Sequence, residues 1–289
     1  MGWRRTQEGE FLFLPCKEIE QLFKYIYGWA CEERNVELHA LTVMLNHPHP
    51  IYTALDDNDP DFRRDVHSLI GRAVNALRKR YKMPVFAPPD RGYTRILDEA
   101  ALIEAIGYVA AQPVAAGLLK YGRHWPGVRT RPEDIGKTEI IKRPNFFFPP
   151  DSIMPEQVEF TLTMPPQLRH LPRQEAVDIL RNAVDRAETT ERRQWLAKGH
   201  KFPGLKGLKK LSHTTKCPLQ YQSGKIYPLI KCKDRKQRIK AKRELTQFRA
   251  DHRTSRTDFR EGNHDVQFPH GTYWYRVHAG ARCASTCPT

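Results

Sequence analysis

The first 120 residues alternate between two hydrophobic periods, and this alternation limits the possible folds more than any other feature of the chain. Residues 36–45, VELHALTVML, are rich in β-forming side chains, and residues 48–55, PHPIYTAL, continue as a second strand after a bend. The short apolar segment EFLFLP at 10–15 predicts an earlier strand, and residues 93–97 predict a later one. The strands are therefore separated by segments of a different period.

Those intervening segments have the spacing of amphipathic helices. Apolar side chains recur three or four positions apart after Pro15 and again after a turn-forming DDNDP, and a third helix begins at Asp98 and is interrupted at Pro113. The residues of the first two apolar faces are Ile19, Leu22, Phe23, Ile26, Ala30, Phe62, Val66, Leu69, Ala73 and Leu77. The order β-α-β-β-α-β-α predicts an α+β, ferredoxin-like domain, with an antiparallel sheet and helices on one face.

The second half of the chain predicts a different organisation. Residues 131–151 are rich in proline and charge and are interpreted as a linker between a domain at 1–130 and an extension at 152–289. In the extension, QVEFTLTMPP predicts a strand, RQEAVDILRNAVDRAETTERRQWLAKG predicts an amphipathic helix, and VQFPHGTYWYRVHAG predicts a hairpin with a turn at His270 and Gly271. The extension is thus predicted to be basic and α+β.

The net charge of +15 indicates a polyanionic partner. Nucleic acid is favoured over an anionic membrane surface, because the basic segments lack an apolar face and no apolar run is long enough to span a bilayer. Residues 198–243 contain fifteen Lys or Arg against one acid, Asp234. The predicted DNA contacts are Arg63, Arg64, Arg72, Arg78, Lys79 and Arg80 in the first half of the chain, and Lys233, Arg235, Lys236 and Arg238 in the second.

Six cysteines occur without any CxxC pair, which indicates free thiols in a reducing compartment rather than a zinc ribbon or a disulfide framework. The N-terminal segment lacks the long apolar run of a secretory signal. Together these features predict a cytoplasmic protein, associated with the nucleoid if its partner is DNA.

The stretch LNHPHP places His47 and His49 two residues apart, at the end of the run that begins as the predicted strand at 36–45. Side chains alternate along a strand, so both imidazoles are expected on one face, where they can bind a metal. His39 is also in phase but lies outside ligand reach, and Asn46 is expected to have a structural role, with positioning of a ligand or of the turn as the alternative. The alternative is a coincidental pair in a chain with 12 histidines.

The helix that begins at Asp98 presents a second candidate pair, Tyr108 and Gln112. Residues four apart lie on one face of a helix, so a phenol and a carboxamide are presented together. The amide oxygen can bind a hard cation, and the hydroxyl can act as a nucleophile. The alternative is that Tyr108 is an ordinary packing residue.

These residues together resemble the single-tyrosine HUH transposases, and within them the REP-associated tyrosine transposases. LHALTVMLNHPH is similar to the histidine strand of that family, SLIGRAVNALRKRY to its following helix, and YVAAQPVAAGLLKYGRHWPGV to its tyrosine helix and the segments after it. The similarity covers about the first 130 residues. Pro48 stands where the family has a larger hydrophobe, and Gln112 stands where it more often has asparagine.

The resemblance implies an enzyme that cleaves and rejoins hairpin-forming single-stranded DNA, as a monomer or homodimer. His47, His49 and Gln112 would bind Mg²⁺ or Mn²⁺, although two imidazoles alone would equally suit zinc. Tyr108 would form a 5′-phosphotyrosine intermediate, from which strands can be rejoined without ATP. Two alternatives remain open: a domesticated protein that binds structured DNA without cutting it, and an HUH replication initiator or relaxase.

Overall fold

The computed structural model describes residues 1–2, 4–56, 58–87, 93–217 and 230–285, and the structure is a mixed α+β fold. Its helices are α1 (Lys17–Glu33), α2 (Asp59–Leu77), α3 (Glu99–Ala110), α4 (Gln112–Ala115), α5 (Arg173–Ala197), α6 (Gly204–Leu208), α7 (Arg235–Arg260) and α8 (Trp274–His278). Its strands are β1 (Val36–Val43), β2 (Pro48–Ala54), β3 (Arg95–Ile96), β4 (Thr138–Lys142), β5 (Gln157–Thr161) and β6 (Ile230–Lys231). Within these ranges, no helix is both long and apolar enough to cross a membrane.

The antiparallel hairpin of β1 and β2 forms the centre of the fold and confirms the two strands predicted there. In its register, Thr42 lies opposite His49 and Val43 lies opposite Pro48. The N–H of Met44 donates to the carbonyl of His47 at 2.9 Å and closes the turn. The hairpin therefore places one histidine in the turn and the other in the second strand.

Pro48 and Pro50 fit into β2 because neither needs to donate a hydrogen bond to β1. Opposite them, the N–H groups of Val43 and Leu41 point away from β2, to the Val128 carbonyl at 2.9 Å and the Thr130 hydroxyl at 2.8 Å. Both prolines therefore occupy non-hydrogen-bonded pairs, where a missing donor costs the ladder nothing. The proline between the histidines is compatible with regular strand pairing.

Helices cover both faces of the hairpin, which corrects the prediction that they lie on one face. On one face, the Tyr52 ring packs 4.8 Å from Phe62 of α2, which in turn contacts Tyr27 of α1 at 6.2 Å. On the other, the His49 ring lies 6.1 Å from Tyr108 of α3. The residues of β1 from 38 to 43 are all buried, as expected for a strand covered on both sides.

Residues 131–151 were predicted to be a linker, and the structure shows that this prediction is wrong. They contain β4, which pairs antiparallel with β5, and they contribute Ile141 and Phe148 to the same core cluster as α1 and β1. Only Ile141 of β4 is buried. The segment resembles a linker in composition because β4 shows four of its five side chains to solvent and is flanked by prolines.

Two further predicted elements are also different in the structure. Residues 10–15 form a turn instead of a strand, although Leu12 and Phe13 are fully buried. The predicted C-terminal hairpin is replaced by the short helix α8, in which Tyr275 stacks on Phe268 at 4.6 Å while Trp274 is exposed. In both segments, the apolar residues pack without forming a strand ladder.

Gly107 allows α3 and α5 to approach closely, one residue before Tyr108. A Cβ at Gly107 would lie 2.8 Å from the carbonyl oxygen of Ala183 in α5, where the neighbour is backbone and cannot rotate away. We expect Gly107→Ala to lower the free energy of unfolding by about 1–3 kcal/mol, measured by chemical denaturation. Gly71→Ala in α2 is the matched control, because its nearest neighbour is 3.9 Å away.

Gly71→Ala should leave stability unchanged or raise it by up to about 1 kcal/mol, since alanine is the better helix former. Equal effects of the two substitutions would contradict the close packing of α3 on α5.

Candidate active site

The structure brings His47, His49 and Tyr108 together. The two imidazole rings have centroids 4.4 Å apart, and the Tyr108 ring lies 6.1 Å from that of His49. This contact joins the β1–β2 hairpin to α3, from positions about 60 residues apart. Two of the three predicted metal ligands, His47 and His49, and the predicted nucleophile are therefore neighbours in space.

His49 is the unusual member of this group, because it is 3% exposed and, among the residues that the structure describes, neither of its ring nitrogens has a hydrogen-bond partner. The hydroxyl of Thr42, directly opposite in the register, is also buried and unpartnered. Buried polar atoms without partners are costly, and such atoms often mark the place of an ion or ligand. Three such atoms, the two ring nitrogens of His49 and the hydroxyl oxygen of Thr42, lie on one face of the hairpin and fit a binding site for an ion or a polar ligand.

His39 is an internal comparison that lacks this property. It is also buried, but its Nδ1 contacts the Thr163 carbonyl at 3.1 Å and its Nε2 contacts the Thr53 hydroxyl at 2.8 Å. Both nitrogens are therefore satisfied within the protein. This agrees with the prediction that His39 lies outside the ligand set.

Both histidines of the pair are held in the neutral form that binds metals. Burial lowers the pKa of His47 to about 3, with a smaller contribution from the positive charge of Arg5. Burial, His47 and Arg5, in that order, lower the pKa of His49 well below its ordinary value. Arg5 is thus a positive charge beside the pair, and no sequence pattern had distinguished it.

Asn46 orients His47, which is the positioning role given above as the alternative to a structural one. Its Oδ1 lies 2.6 Å from Nδ1 of His47, while its Nδ2 donates to the Gly9 carbonyl at 3.3 Å. An amide oxygen at Nδ1 fixes the proton there and leaves Nε2 as the free lone pair. The sequence signal was present, because Asn46 directly precedes the histidine, but its orientation is visible only in the structure.

Tyr108 and Gln112 lie at the junction of α3 and α4, as the spacing predicted. Tyr108 is 46% exposed, whereas Gln112 is 7% exposed and donates its Nε2 to the Tyr108 carbonyl at 3.1 Å. This bond leaves the amide oxygen as the group available to a cation. Pro113 follows within the first turn of α4, where its missing N–H costs nothing, and this confirms the predicted interruption.

A groove of about 480 Å³ runs beside Tyr108, between α3–α4 and α5. The same groove is lined by Lys231 of β6 and by Lys233, two residues after it. Both lysines form ion pairs with Glu104, at 3.3 and 3.0 Å. Part of the basic stretch at 198–243 therefore lines the groove beside Tyr108. Lys231 was not among the predicted contacts, because nothing in its local sequence distinguishes it from its neighbours.

The six predicted DNA contacts on and after α2 divide into two groups. Four are engaged within the protein: Arg63 with Asp59, Arg64 with Asp61 and Asp65, Arg78 with the carbonyls of Leu12 and Leu14, and Arg80 with Glu10. Arg72 and Lys79 are exposed. These two are the side chains of this group best placed to meet a partner.

Three of the four predicted contacts in the second half of the chain lie on α7, a largely exposed helix, and the fourth, Lys233, lies just before it. Arg235 and Lys236 are exposed in its first turn, Lys233 pairs with Glu104, and Arg238 donates to the Cys232 carbonyl at 3.1 Å. Over its whole length α7 carries ten Lys or Arg against three acids, and only Ala241 and Ser255 are buried. It presents a long basic surface.

No protein-family model matches the chain, and comparison with curated proteins and with solved structures found no similar protein. Interpretation of the site therefore depends on its geometry. In the part of the chain that the structure describes, no three His, Cys, Asp or Glu side chains form a metal-binding group. A cation at the histidine pair would need another kind of ligand, and the amide oxygen of Gln112 is the candidate.

Burial of His39 has a measurable consequence for stability. Burial lowers its pKa to about 4; the Thr163 carbonyl and Glu37 act in the opposite direction, and Arg169 and the amino terminus add small lowering contributions. The unfolded chain takes up a proton below about pH 6.5, and the folded chain does not until about pH 4. The free energy of unfolding should therefore fall by about 2 kcal/mol through His39 between pH 7 and pH 5.

This pH dependence can be measured by denaturation of the wild type and of His39→Asn at both pH values. In the variant, the slope of the free energy of unfolding against pH should correspond to up to one proton fewer taken up on unfolding, whatever the absolute stability of the variant. His170→Asn is the control, because the His170 side chain is 61% exposed. An unchanged slope in His39→Asn would contradict the assignment.

Proposed function

We propose that this chain is a metal-dependent DNA strand transferase of the single-tyrosine HUH class, acting on hairpin-forming single-stranded DNA. The observation that carries the proposal is His49, whose two buried, unpartnered nitrogens lie in ring contact with His47 and Tyr108. The finer assignment of the fold, an HUH domain with helices on both faces of the hairpin, belongs to the same proposal. It is supported by the histidine strand and the tyrosine helix meeting on one sheet face.

The donor set fits a divalent cation. The proposed ligands are Nε2 of His47, since Asn46 occupies its Nδ1, a ring nitrogen of His49, and the amide oxygen of Gln112, which its Nε2 bond to the Tyr108 carbonyl leaves available. Mg²⁺ or Mn²⁺, once bound, would act as a Lewis acid on a non-bridging oxygen of the scissile phosphate. The positive charge of Arg5 acts on the same region and would further favour an anionic substrate.

The reaction itself would be carried by Tyr108. Its hydroxyl oxygen attacks the phosphorus, the bond from phosphorus to the 3′ oxygen breaks, and the phenolic proton ends on the released 3′-hydroxyl. The products are a 5′-phosphotyrosine and a free 3′ end, so attack by another 3′-hydroxyl reverses the step and rejoins DNA. Because Tyr108 is 46% exposed, its hydroxyl is accessible to a strand lying in the groove.

The test is to incubate the protein with Mn²⁺ and single-stranded hairpins labelled at either end. With a 3′ label, a denaturing gel should show a radioactive protein adduct; with a 5′ label, it should show a shorter free DNA. Chelation of the metal should abolish both products. Binding of the hairpins without an adduct would instead favour the alternative of a non-cleaving DNA-binding protein, for which the exposed basic surface of α7 would suffice.

The metal site can be tested separately by calorimetric titration with Mn²⁺. We expect one site in the wild type and its loss in His49→Asn. His39→Asn is the matched control, because it removes another buried imidazole of the same hairpin that is already satisfied by Thr163 and Thr53. Equal Mn²⁺ binding in the wild type and His49→Asn would rule out the proposed ligand set.

A further inference from the structure

Tyr121 is surrounded by three cationic side chains. The guanidinium carbons of Arg123 and Arg192 lie 4.5 and 4.9 Å from its ring centroid, and the ammonium nitrogen of Lys120 lies 5.8 Å away. We refer to Lys120, Tyr121, Arg123 and Arg192 as the Tyr121 cluster. Three of its members are consecutive or nearly so in sequence, and Arg192 reaches it from α5.

The positive charges of this cluster are not neutralised by the protein. In the ranges that the structure describes, no carboxylate forms an ion pair with any of the three cations. Glu188, one turn before Arg192 on α5, is already paired with Arg129 at 2.8 Å. Three like charges around one ring repel one another, so the arrangement is favourable when an anion is also present.

Arg192 is held in place, which distinguishes the cluster from a chance gathering of surface cations. One of its terminal nitrogens donates to the Lys120 carbonyl at 3.2 Å and the other to the Thr189 hydroxyl at 3.0 Å. These partners are uncharged, so they orient the guanidinium without cancelling its charge. A preoriented cation binds a phosphate with a smaller loss of side-chain entropy.

Trp195 extends this surface along α5. Its Nε1 donates to the Ala115 carbonyl at 3.0 Å, and the Lys198 ammonium lies 5.5 Å from its ring. Aromatic rings and cations therefore alternate from Tyr121 to Lys198. This is the composition of surfaces that bind single-stranded nucleic acid, where cations hold phosphates and flat groups stack on bases.

The position of the cluster relates it to the candidate active site. Ala115 and Thr190 line the groove that contains Tyr108, and Trp195 binds the carbonyl of that same Ala115. The Trp195 end of the aromatic and basic surface therefore shares Ala115 with the wall of the groove. A strand leaving Tyr108 along the groove would meet the cluster next.

We propose that the Tyr121 cluster binds the single-stranded DNA flank that extends from the cleavage site. The inference rests on the proposed function for its choice of DNA as the substrate. A single strand is favoured over a duplex, because only unpaired bases expose the flat faces that can stack on Tyr121, Trp195 or a guanidinium plane. The phosphates between those bases would pair with Arg123 and Arg192.

The test measures DNA binding by fluorescence anisotropy in the full chain carrying Tyr108→Phe, with a labelled oligothymidylate of about 16 nucleotides at several salt concentrations. Arg192→Gln should weaken binding about fivefold. It should also reduce the slope of the logarithm of the binding constant against the logarithm of the salt concentration by about 0.7, because one phosphate contact is lost. Arg193→Gln is the matched control, since it removes the same charge at the next, exposed position of α5. It should change the affinity less than about twofold.

Tyr121→Leu should weaken binding as Arg192→Gln does, while Tyr121→Phe should restore it, because the ring and not the hydroxyl holds the cations. Equal effects of Arg192→Gln and Arg193→Gln would overturn the proposal, as would unchanged binding in Tyr121→Leu or equally tight binding of a duplex of matched length. Thermal melting of each variant identifies any that fail to fold.

Failure of the proposed function would be distinguishable from failure of this inference. If the wild type forms no covalent adduct but Arg192→Gln still weakens DNA binding, the proposed strand-transfer activity is wrong and the proposed binding surface is supported. An adduct in the wild type with no Arg192 or Tyr121 effect would leave the chemistry and remove the surface.

Discussion

Replacement of Tyr108 by phenylalanine is expected to abolish the covalent protein–DNA adduct while leaving hairpin binding and Mn²⁺ binding intact. The substitution removes one oxygen, the nucleophile, and keeps the ring that contacts His49. Denaturing gels with 3′-labelled hairpins measure the adduct, and anisotropy with the same DNA measures binding. Separation of the two readouts assigns Tyr108 to the chemical step.

Tyr81→Phe is the matched control, because Tyr81 is 81% exposed after α2 and away from the histidine pair. It should form the adduct at the rate of the wild type. Persistence of the adduct in Tyr108→Phe would show that another residue is the nucleophile.

Glu188→Gln is expected to lower the free energy of unfolding by about 3 kcal/mol. Glu188 forms a buried ion pair with Arg129 at 2.8 Å and accepts the Gly122 N–H at 3.1 Å. Burial lowers the pKa of Arg129, and the negative charge of Glu188 partly offsets this decrease. Arg129 also donates a hydrogen bond to the Ala110 carbonyl at the end of α3. Loss of one partner would leave a buried charge uncompensated, and the effect can be measured by chemical denaturation.

The exposed pair of Arg181 and Glu133, joined at 2.6 Å, is the control for this prediction. Glu133→Gln should cost less than about 1 kcal/mol, because water screens an exposed pair. Similar losses in Glu133→Gln and Glu188→Gln would contradict the importance of burial.

Because Arg129 also holds the end of α3, adduct formation in Glu188→Gln should fall even under conditions where the variant is fully folded. This follows because Tyr108 lies two residues before Ala110, so movement of the helix end would move the nucleophile relative to His49. Rates measured well below the midpoint of thermal unfolding separate this effect from loss of folded protein.

Local patterns in the sequence predicted the parts of the fold that depend on local interactions. The helix from Lys17 to Glu33, the two strands of the hairpin and the break at Pro113 follow from apolar spacing and from the backbone limits of proline. The closeness of His47 and His49 was also predictable from their separation of two residues, although the structure places His47 in the turn and only His49 in a strand. Their contact with Tyr108 was predicted only through the family resemblance, since no local pattern relates positions about 60 residues apart.

The features that the sequence did not reveal depend on distant pairing. The strand β4 has one buried residue, Ile141, so its composition resembles a linker, and only its ladder with β5 makes it a strand. The ion pair of Arg129 and Glu188 joins residues 59 positions apart. Arg192 reaches the Tyr121 cluster from a helix 70 residues further along, and no single segment indicates such a contact.

The most direct measurement of the proposed chemistry is peptide mapping of the protein–DNA adduct by mass spectrometry. Cleavage after Arg95 and Lys120 gives a peptide of residues 96–120, in which Tyr108 is the only tyrosine and no Ser, Thr, Cys or His occurs. We expect the 5′-linked nucleotide on this peptide, in a reaction that requires Mn²⁺. A nucleotide found on any other peptide, or none across the hairpins tested, would contradict Tyr108 as the nucleophile beside the histidine pair.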